Sequence, residues 1–176
     1  MRITGGEPLV RRGLAELVAG LSRIPGVEDL ALSTNGISLG AQAFALKQAG
    51  LKRVNISLDT LDPARFRQVT RGGDWRRVWQ GIWTALEVGL VPVKLNVVLL
   101  RGINEAEVRS FAELTRKHPL HVRFIELMPH GNGGLDHAAH FFSAGEARTM
   151  CEQVGPLVPA RDIAGVGPAV SFRYPG

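Results

Sequence analysis

Short apolar runs rich in β-branched residues alternate with longer, helically periodic stretches along most of the 176-residue chain. The runs fall at 1–4, 30–34, 53–58, 93–99 and 121–126, and the periodic stretches at 11–21, 39–48, 75–87 and 105–117. A period of two marks strand and a period of about 3.6 marks helix. The punctuation agrees. Pro8 follows the first run, Asn104 stands where a helix beginning at Glu105 needs a cap, and Gly50 and Gly89 sit where helices end. Asp62-Pro63 opens a short extra helix ahead of the Arg71-Gly72-Gly73 loop. Repeated strand–helix units predict parallel strands joined by right-handed crossovers. A Gly-rich loop from Pro129 to Leu135, a helix over 143–154 and one or two short strands within 157–173 follow. The first residues already read as strand and the last close no element, so both ends are expected to be cut from something longer.

A parallel sheet buried on both faces reads as continuous Val, Ile and Leu. These strands do not. Arg2 and Thr4 share one face opposite Ile3, and Ser33 and Asn35 oppose Leu32. Asn55, Ser57 and Asp59 oppose Val54, Ile56 and Leu58. Lys94 and Asn96 oppose Val93, Leu95 and Val97, and His121 and Arg123 oppose Val122 and Phe124. Burying such groups without partners costs several kcal/mol each. The polar face is either open to water or lines a ligand cavity in a curled sheet. Helical crossovers cover the outside of a barrel and favour the cavity. The polar residues also gather toward strand C-terminal ends, where α/β folds place ligands. There Gly5 and Gly6 permit a close backbone approach, and the Glu7 carboxylate can accept hydrogen bonds from an ammonium group.

Composition narrows the picture without deciding it. Apolar residues at 45% and charged residues at 21% are ordinary globular values. No apolar run approaches the roughly 18 residues of a spanning helix, and the N-terminus lacks a signal peptide, so a soluble, cytoplasmic protein is expected. The formal charge of +5 suits an anionic partner, whether nucleotide, nucleic acid or acidic lipid, and does not choose among them. Basic pairs such as Arg11-Arg12 and Arg76-Arg77 without interleaved aromatics give no reason to expect nucleic acid or membrane. Cys151 is the only cysteine, so the chain forms no internal disulfide and cannot supply the several thiolates an iron–sulfur cluster needs.

Taken in order, Arg2-Ile3-Thr4-Gly5-Gly6-Glu7-Pro8-Leu9, Ser33-Thr34-Asn35-Gly36, Asn55-Ile56-Ser57-Leu58-Asp59 and Lys94-Leu95-Asn96-Val97-Val98 resemble the strand ends of radical S-adenosylmethionine (SAM) enzymes. Arg101-Gly102-Ile103-Asn104 and Arg123-Phe124-Ile125-Glu126-Leu127-Met128-Pro129 resemble the GTP 3′,8-cyclase family of molybdenum cofactor biosynthesis in particular. The resemblance implies an α/β fold, a partial (β/α)6 TIM-like barrel incomplete at both ends, with 1–142 as barrel core and 143–176 as the start of a C-terminal region. It implies a lyase using SAM and two 4Fe–4S clusters, in which a 5′-deoxyadenosyl radical abstracts hydrogen from GTP on the way to the cyclic pyranopterin precursor. Carried over by position, Gly6, Glu7, Ser57 and Met128 would hold SAM, and Arg2, Ser33, Lys94 and Arg123 would contact GTP. A homodimer is implied as well. The family's Cys-x3-Cys-x2-Cys would lie before Met1 and its second cysteine set after Gly176, so this chain is expected to be inactive alone and to carry no catalytic or metal-binding residue of its own.

Two other readings use the same residues. One is a non-catalytic binding protein for a nucleotide or other anionic metabolite, built on that fold. The other is a barrel enzyme using Asp59 or Glu126 in acid–base work, with no partner at a recognisable spacing. Trp75, Trp79 and Trp83 form one helix stripe, read as packing against the sheet or a partner subunit. His130, His137 and His140 with Asp136 fit no zinc pattern.

Overall fold

The computed structural model describes residues 1–129, 136–160 and 169–175. Its contacts group into two compact units, Met1–Val98 with Pro119–Ile125, and Leu99–His118 with Glu126–Gly176. The helical stretch after residue 105 therefore groups with the C-terminal segment.

In the first unit, β1 (Arg2–Ile3), β2 (Ala31–Thr34), β3 (Arg53–Ser57), β4 (Val93–Leu99) and β5 (Leu120–Glu126) form one sheet in chain order, parallel from β1 through β4. The connections are α1 (Leu14–Ser22), α2 (Leu39–Gln48), α3 (Pro63–Val69) and α4 (Trp75–Glu87). Sequential parallel order with right-handed crossovers puts every connecting helix on the same face, leaving the other to different uses. This is the strand order of a barrel rather than of a doubly wound sheet. Among the described residues the sheet stays open.

Register fixes what each face carries. Ile3, Leu32, Val54 and Val93 stand in one row, and Thr34, Ile56 and Leu95 in another row on the same face. Leu32, Val54, Val93, Ile56 and Leu95 are fully buried and share the core with Leu39 and Leu46 of α2 and Val78 and Ile82 of α4. Helices α2 and α4 approach closely because Gly81 lies against Gly36. A Cβ on Gly81 would meet the Gly36 carbonyl oxygen at 2.9 Å, and one on Gly36, which has φ of +80°, would meet Ile56 Cγ2 at 2.9 Å. The tryptophan stripe does not face the sheet. Val78, Gly81, Ile82 and Ala85 fill that role, while half-buried Trp75 and Trp79 stack at 4.9 Å and Trp79 meets Trp83 edge-on at 5.5 Å.

In the second unit a 3-10 turn (Glu105–Glu107) leads into α5 (Val108–Lys117). Then come α6 (His137–His140), α7 (Ala144–Glu152) and an antiparallel pair, β6 (Val158–Pro159) and β7 (Phe172–Arg173). Asn104 precedes the turn, but its side chain makes no cap bond. It is buried and points backward, its Oδ1 accepting the Leu100 N–H at 2.8 Å. Helix α7 has a complete capping box, with Ser143 and Glu146 bonding each other's backbone N–H. The Gly-rich loop lies, from His130 onward, outside the described residues. Among the described residues no helix is long and apolar enough to cross a membrane.

Candidate functional site

The sheet face away from the core rows carries three polar rungs, each two residues, or about 6.5 Å, further along the strands. Arg2, Ala31 and Arg53 form the first, Ser33, Asn55 and Lys94 the second, and Ser57 with Asn96 the third. This is the alternation expected from the sequence. The face is neither fully wet nor a closed pocket. Asn55 is 1% exposed and Lys94 4%, Ser33, Arg53 and Arg123 are half-buried, and Arg2 and Ser57 are open. Two clefts of the first unit lie elsewhere. One, of about 240 Å³, is lined by Ile37, Gly40 and Arg77, and another, of about 410 Å³, by Arg67, Gly73 and Trp75.

Positive charge concentrates on this face. The Lys94 amine is pushed below the usual lysine range, first by burial and then by the charges of Arg123, Arg53 and Arg2. Arg123 is depressed in the same way, by burial and then by Arg2 and Arg53. Four cations thus repel one another on one side of one sheet. Arg53, absent from the sequence-derived site, belongs to the set. Its Nε and Nη2 donate to Asp29 at 2.9 and 2.7 Å, holding the guanidinium in a fixed plane. The available signal was its place two residues before Asn55 on the same face.

Next to the cations stand buried amides. Asn55 Nδ2 donates to Ser33 Oγ at 3.3 Å, but Asn55 Oδ1 and Asn96 Oδ1 are buried and accept nothing. Leaving a buried acceptor unmade costs about 1–3 kcal/mol. The face thus combines like charges with buried acceptors that the described side chains do not meet.

At the C-terminal end of the strands, Gly5 has φ of +146°, and a Cβ placed on Gly6 would find nothing within 4 Å. The backbone there is open to a ligand. Glu7, however, is already engaged. Its Oε1 accepts from Leu9 N at 2.9 Å and from Thr34 Oγ1 at 2.6 Å, and its Oε2 from Asn35 N at 2.7 Å. It pins the loop after β1 to the end of β2, with about one acceptor position left over. Met128 belongs to the second unit and is 65% exposed.

The remaining candidates are structural. Burial raises Asp59, whose carboxylate accepts the Val98 N–H at 2.8 Å. Glu126 accepts the Ala144 N–H at the start of α7. Asp136 caps α6, His137 Nε2 lies 3.0 Å from the Leu127 carbonyl, and His140 Nδ1 lies 3.0 Å from that of Arg101. Cys151 is buried with its thiol pushed up to about 11, chiefly by desolvation. No group of three His, Cys, Asp or Glu among the described residues could hold a metal ion. One inert thiol does not fit an iron–sulfur cluster.

The chain is 54% identical over its full length to the GTP 3′,8-cyclase of Moorella thermoacetica and covers 54% of that protein. It is 55% identical over 98% of its length to the GTP 3′,8-cyclase of Pelotomaculum thermopropionicum, again covering 54%. The chain therefore spans about half the length of the curated relatives it matches. A crystal structure of a domain of pyruvate-formate lyase-activating enzyme from Bacteroides vulgatus superposes with a TM-score of 0.61 at 19% identity, over 88% of this chain and 91% of that one, a likeness of fold. The family model described as the radical SAM superfamily matches residues 1–115, the stretch that contains the polar rungs of β1 to β4 and the open glycine turn. On that match, and on a sheet whose polar face the pattern of the sequence had anticipated, the chain belongs to the radical SAM superfamily.

Proposed function

We propose that this chain supplies the substrate-binding face of a GTP 3′,8-cyclase, with SAM at the C-terminal rim of a partial (β/α)6 barrel and GTP on the rungs below it. The observation that carries the reading is the convergence of Arg2, Arg53, Lys94 and Arg123 on one sheet face, where burial and mutual repulsion already disfavour the charged lysine. A triphosphate relieves that repulsion, and no neutral metabolite does. Arg2, Lys94, Arg123 and Arg53 take its oxygens, and Ser33 donates its hydroxyl. Gly6 admits SAM to the backbone, Ser57 hydrogen-bonds it, and Asn96, in register with Ser57, offers a buried acceptor. Glu7 holds the turn in shape and has one acceptor position to offer its amino group.

When bound, SAM supplies the radical that takes hydrogen from GTP. The chain's own residues bind, orient and neutralise charge. Their single cysteine is unsuited to a cluster, so no electron-transfer step is assigned to them. Calorimetric titration with GTP, with SAM and with inorganic triphosphate tests the reading. Saturable binding of GTP that weakens steeply with salt is expected. No heat with GTP or with triphosphate at low ionic strength sinks it.

A further inference from the structure

Cations account for the phosphates of a nucleotide but leave one feature of this face unexplained. Asn55 lies between Ser33 and Lys94 on the second rung, 1% exposed. Its Nδ2 is taken by Ser33, and its Oδ1 faces no donor. Phosphate oxygens are acceptors and cannot satisfy it. Lysine and arginine, which could, leave it unmet here although Lys94 is its register neighbour. The partner this oxygen can take is a group that donates.

The rungs also order the molecule that binds. Arg2 and Arg53 lie nearer the start of the strands, Ser33, Asn55 and Lys94 one step on, and Ser57 and Asn96 a step beyond. A nucleoside triphosphate lying along this ladder with its phosphates on the lower cations brings its sugar to the middle rung within about one step. We propose that Asn55 is a specificity-determining residue of the same site, its Oδ1 accepting a hydrogen bond from a ribose hydroxyl. The inference rests on the nucleotide reading given above and adds to it a residue, an atom and an orientation. Ser33 fixes the amide, so the acceptor is set before the ligand arrives.

The test is a calorimetric series on the whole chain with GTP, 2′-deoxy-GTP, 3′-deoxy-GTP, inosine triphosphate and inorganic triphosphate. Wild type binds GTP about tenfold more tightly than one of the deoxy analogues. Inosine triphosphate, which lacks only the exocyclic amine of the base, keeps the GTP affinity. In Asn55→Ala the hydroxyl preference disappears while affinity for inorganic triphosphate is unchanged, which also reports an intact face. Should Asn55→Ala not melt cooperatively, Asn55→Asp replaces it. The carboxylate still accepts, so the hydroxyl preference persists while triphosphate binding weakens. Equal affinity of wild type for GTP and both deoxy analogues overturns the role of Asn55 while leaving the anion site standing, as does a preference that survives Asn55→Ala. Selective loss with inosine triphosphate overturns it too, by assigning the acceptor to the base. Binding of neither GTP nor inorganic triphosphate removes the nucleotide reading and Asn55 with it.

Discussion

The two units differ in how completely their buried polar groups are satisfied. In the second, charges and hydroxyls are spent on the chain itself. Arg101 bonds the Phe141 carbonyl and Glu146, Arg148 bonds Glu152, Arg116 bonds the Val154 carbonyl, and Tyr174 bonds that of Cys151. In the first, Arg2, Arg53, Lys94 and Arg123 crowd one face. The three buried side-chain atoms found without a partner among the described residues, on Asn55, Trp75 and Asn96, all lie in that unit. A group bonded within the chain serves the fold, and Arg53, held by Asp29, serves the fold and faces the site at once. The unmade acceptors of Asn55 and Asn96, on the polar face, are open to a molecule from outside. The contrast separates site from scaffold without reference to any relative.

The contrast breaks most sharply at Lys94. Lys94→Met is expected to weaken triphosphate binding by roughly tenfold to a hundredfold, as loss of a charge-assisted contact does, and at the same time to raise the melting temperature of the free chain. A fall in both would make Lys94 an ordinary structural residue. The sign with pH follows. Because burial and like charge depress the folded pKa, the free chain binds fewer protons at this position than the unfolded one between that value and the usual lysine range. Its contribution to stability therefore improves as pH rises through the depressed pKa, while anion affinity falls over the same interval. The difference between wild type and Lys94→Met isolates both trends.

A smaller change is expected at Arg53. Arg53→Lys keeps the charge but loses the two-bond grip on Asp29, and triphosphate affinity falls about tenfold. Unchanged affinity would remove Arg53 from the site and leave it a strand clamp.

The second unit should answer alkaline pH in the opposite sense to Lys94. Tyr174, held up at about 12, and Cys151, held up at about 11, both favour their neutral forms in the fold. The stability they confer is complete below their ordinary values and drains away as pH rises toward 11 and 12. The chain has one tyrosine, so tyrosinate absorbance follows it directly. Titration near pH 10 in the folded chain would contradict the buried arrangement. The smallest effect is at the capping box, where Ser143→Ala should cost about 1 kcal/mol in denaturant unfolding and leave triphosphate affinity alone. Any loss of binding there would blur the line between the two units.

Much of the fold was legible because its signals are local. Apolar alternation located the five strands of the larger sheet within a few residues, and Asp62-Pro63 marked α3, whose Asp62 cap accepts the Arg65 N–H at 2.8 Å. The helix over 75–87 emerged with its predicted bounds, but its orientation did not follow from its tryptophans. Large aromatics stacked on one another along the helix while smaller Val78, Gly81 and Ile82 took the buried face. Asn104 was misread for a related reason. Its spacing fits an N-cap, yet its side-chain oxygen accepts the N–H of Leu100, behind it.

By itself the sequence determined which side chains share a strand face, because a period of two is built into every extended backbone. It also determined that one thiol cannot hold a cluster and that the excess charge is positive. Tertiary structure alone decided which residues of different strands stand side by side. The hydrophobic pattern excludes a one-residue slip, but which same-face residues pair is settled only when segments tens of residues apart come together. That is why Arg53 joined Arg2 on one rung, why Asn55 came to lie between Ser33 and Lys94 with an oxygen unmet, and why Glu7, read as a hand for a ligand, is first of all a brace between two strand ends.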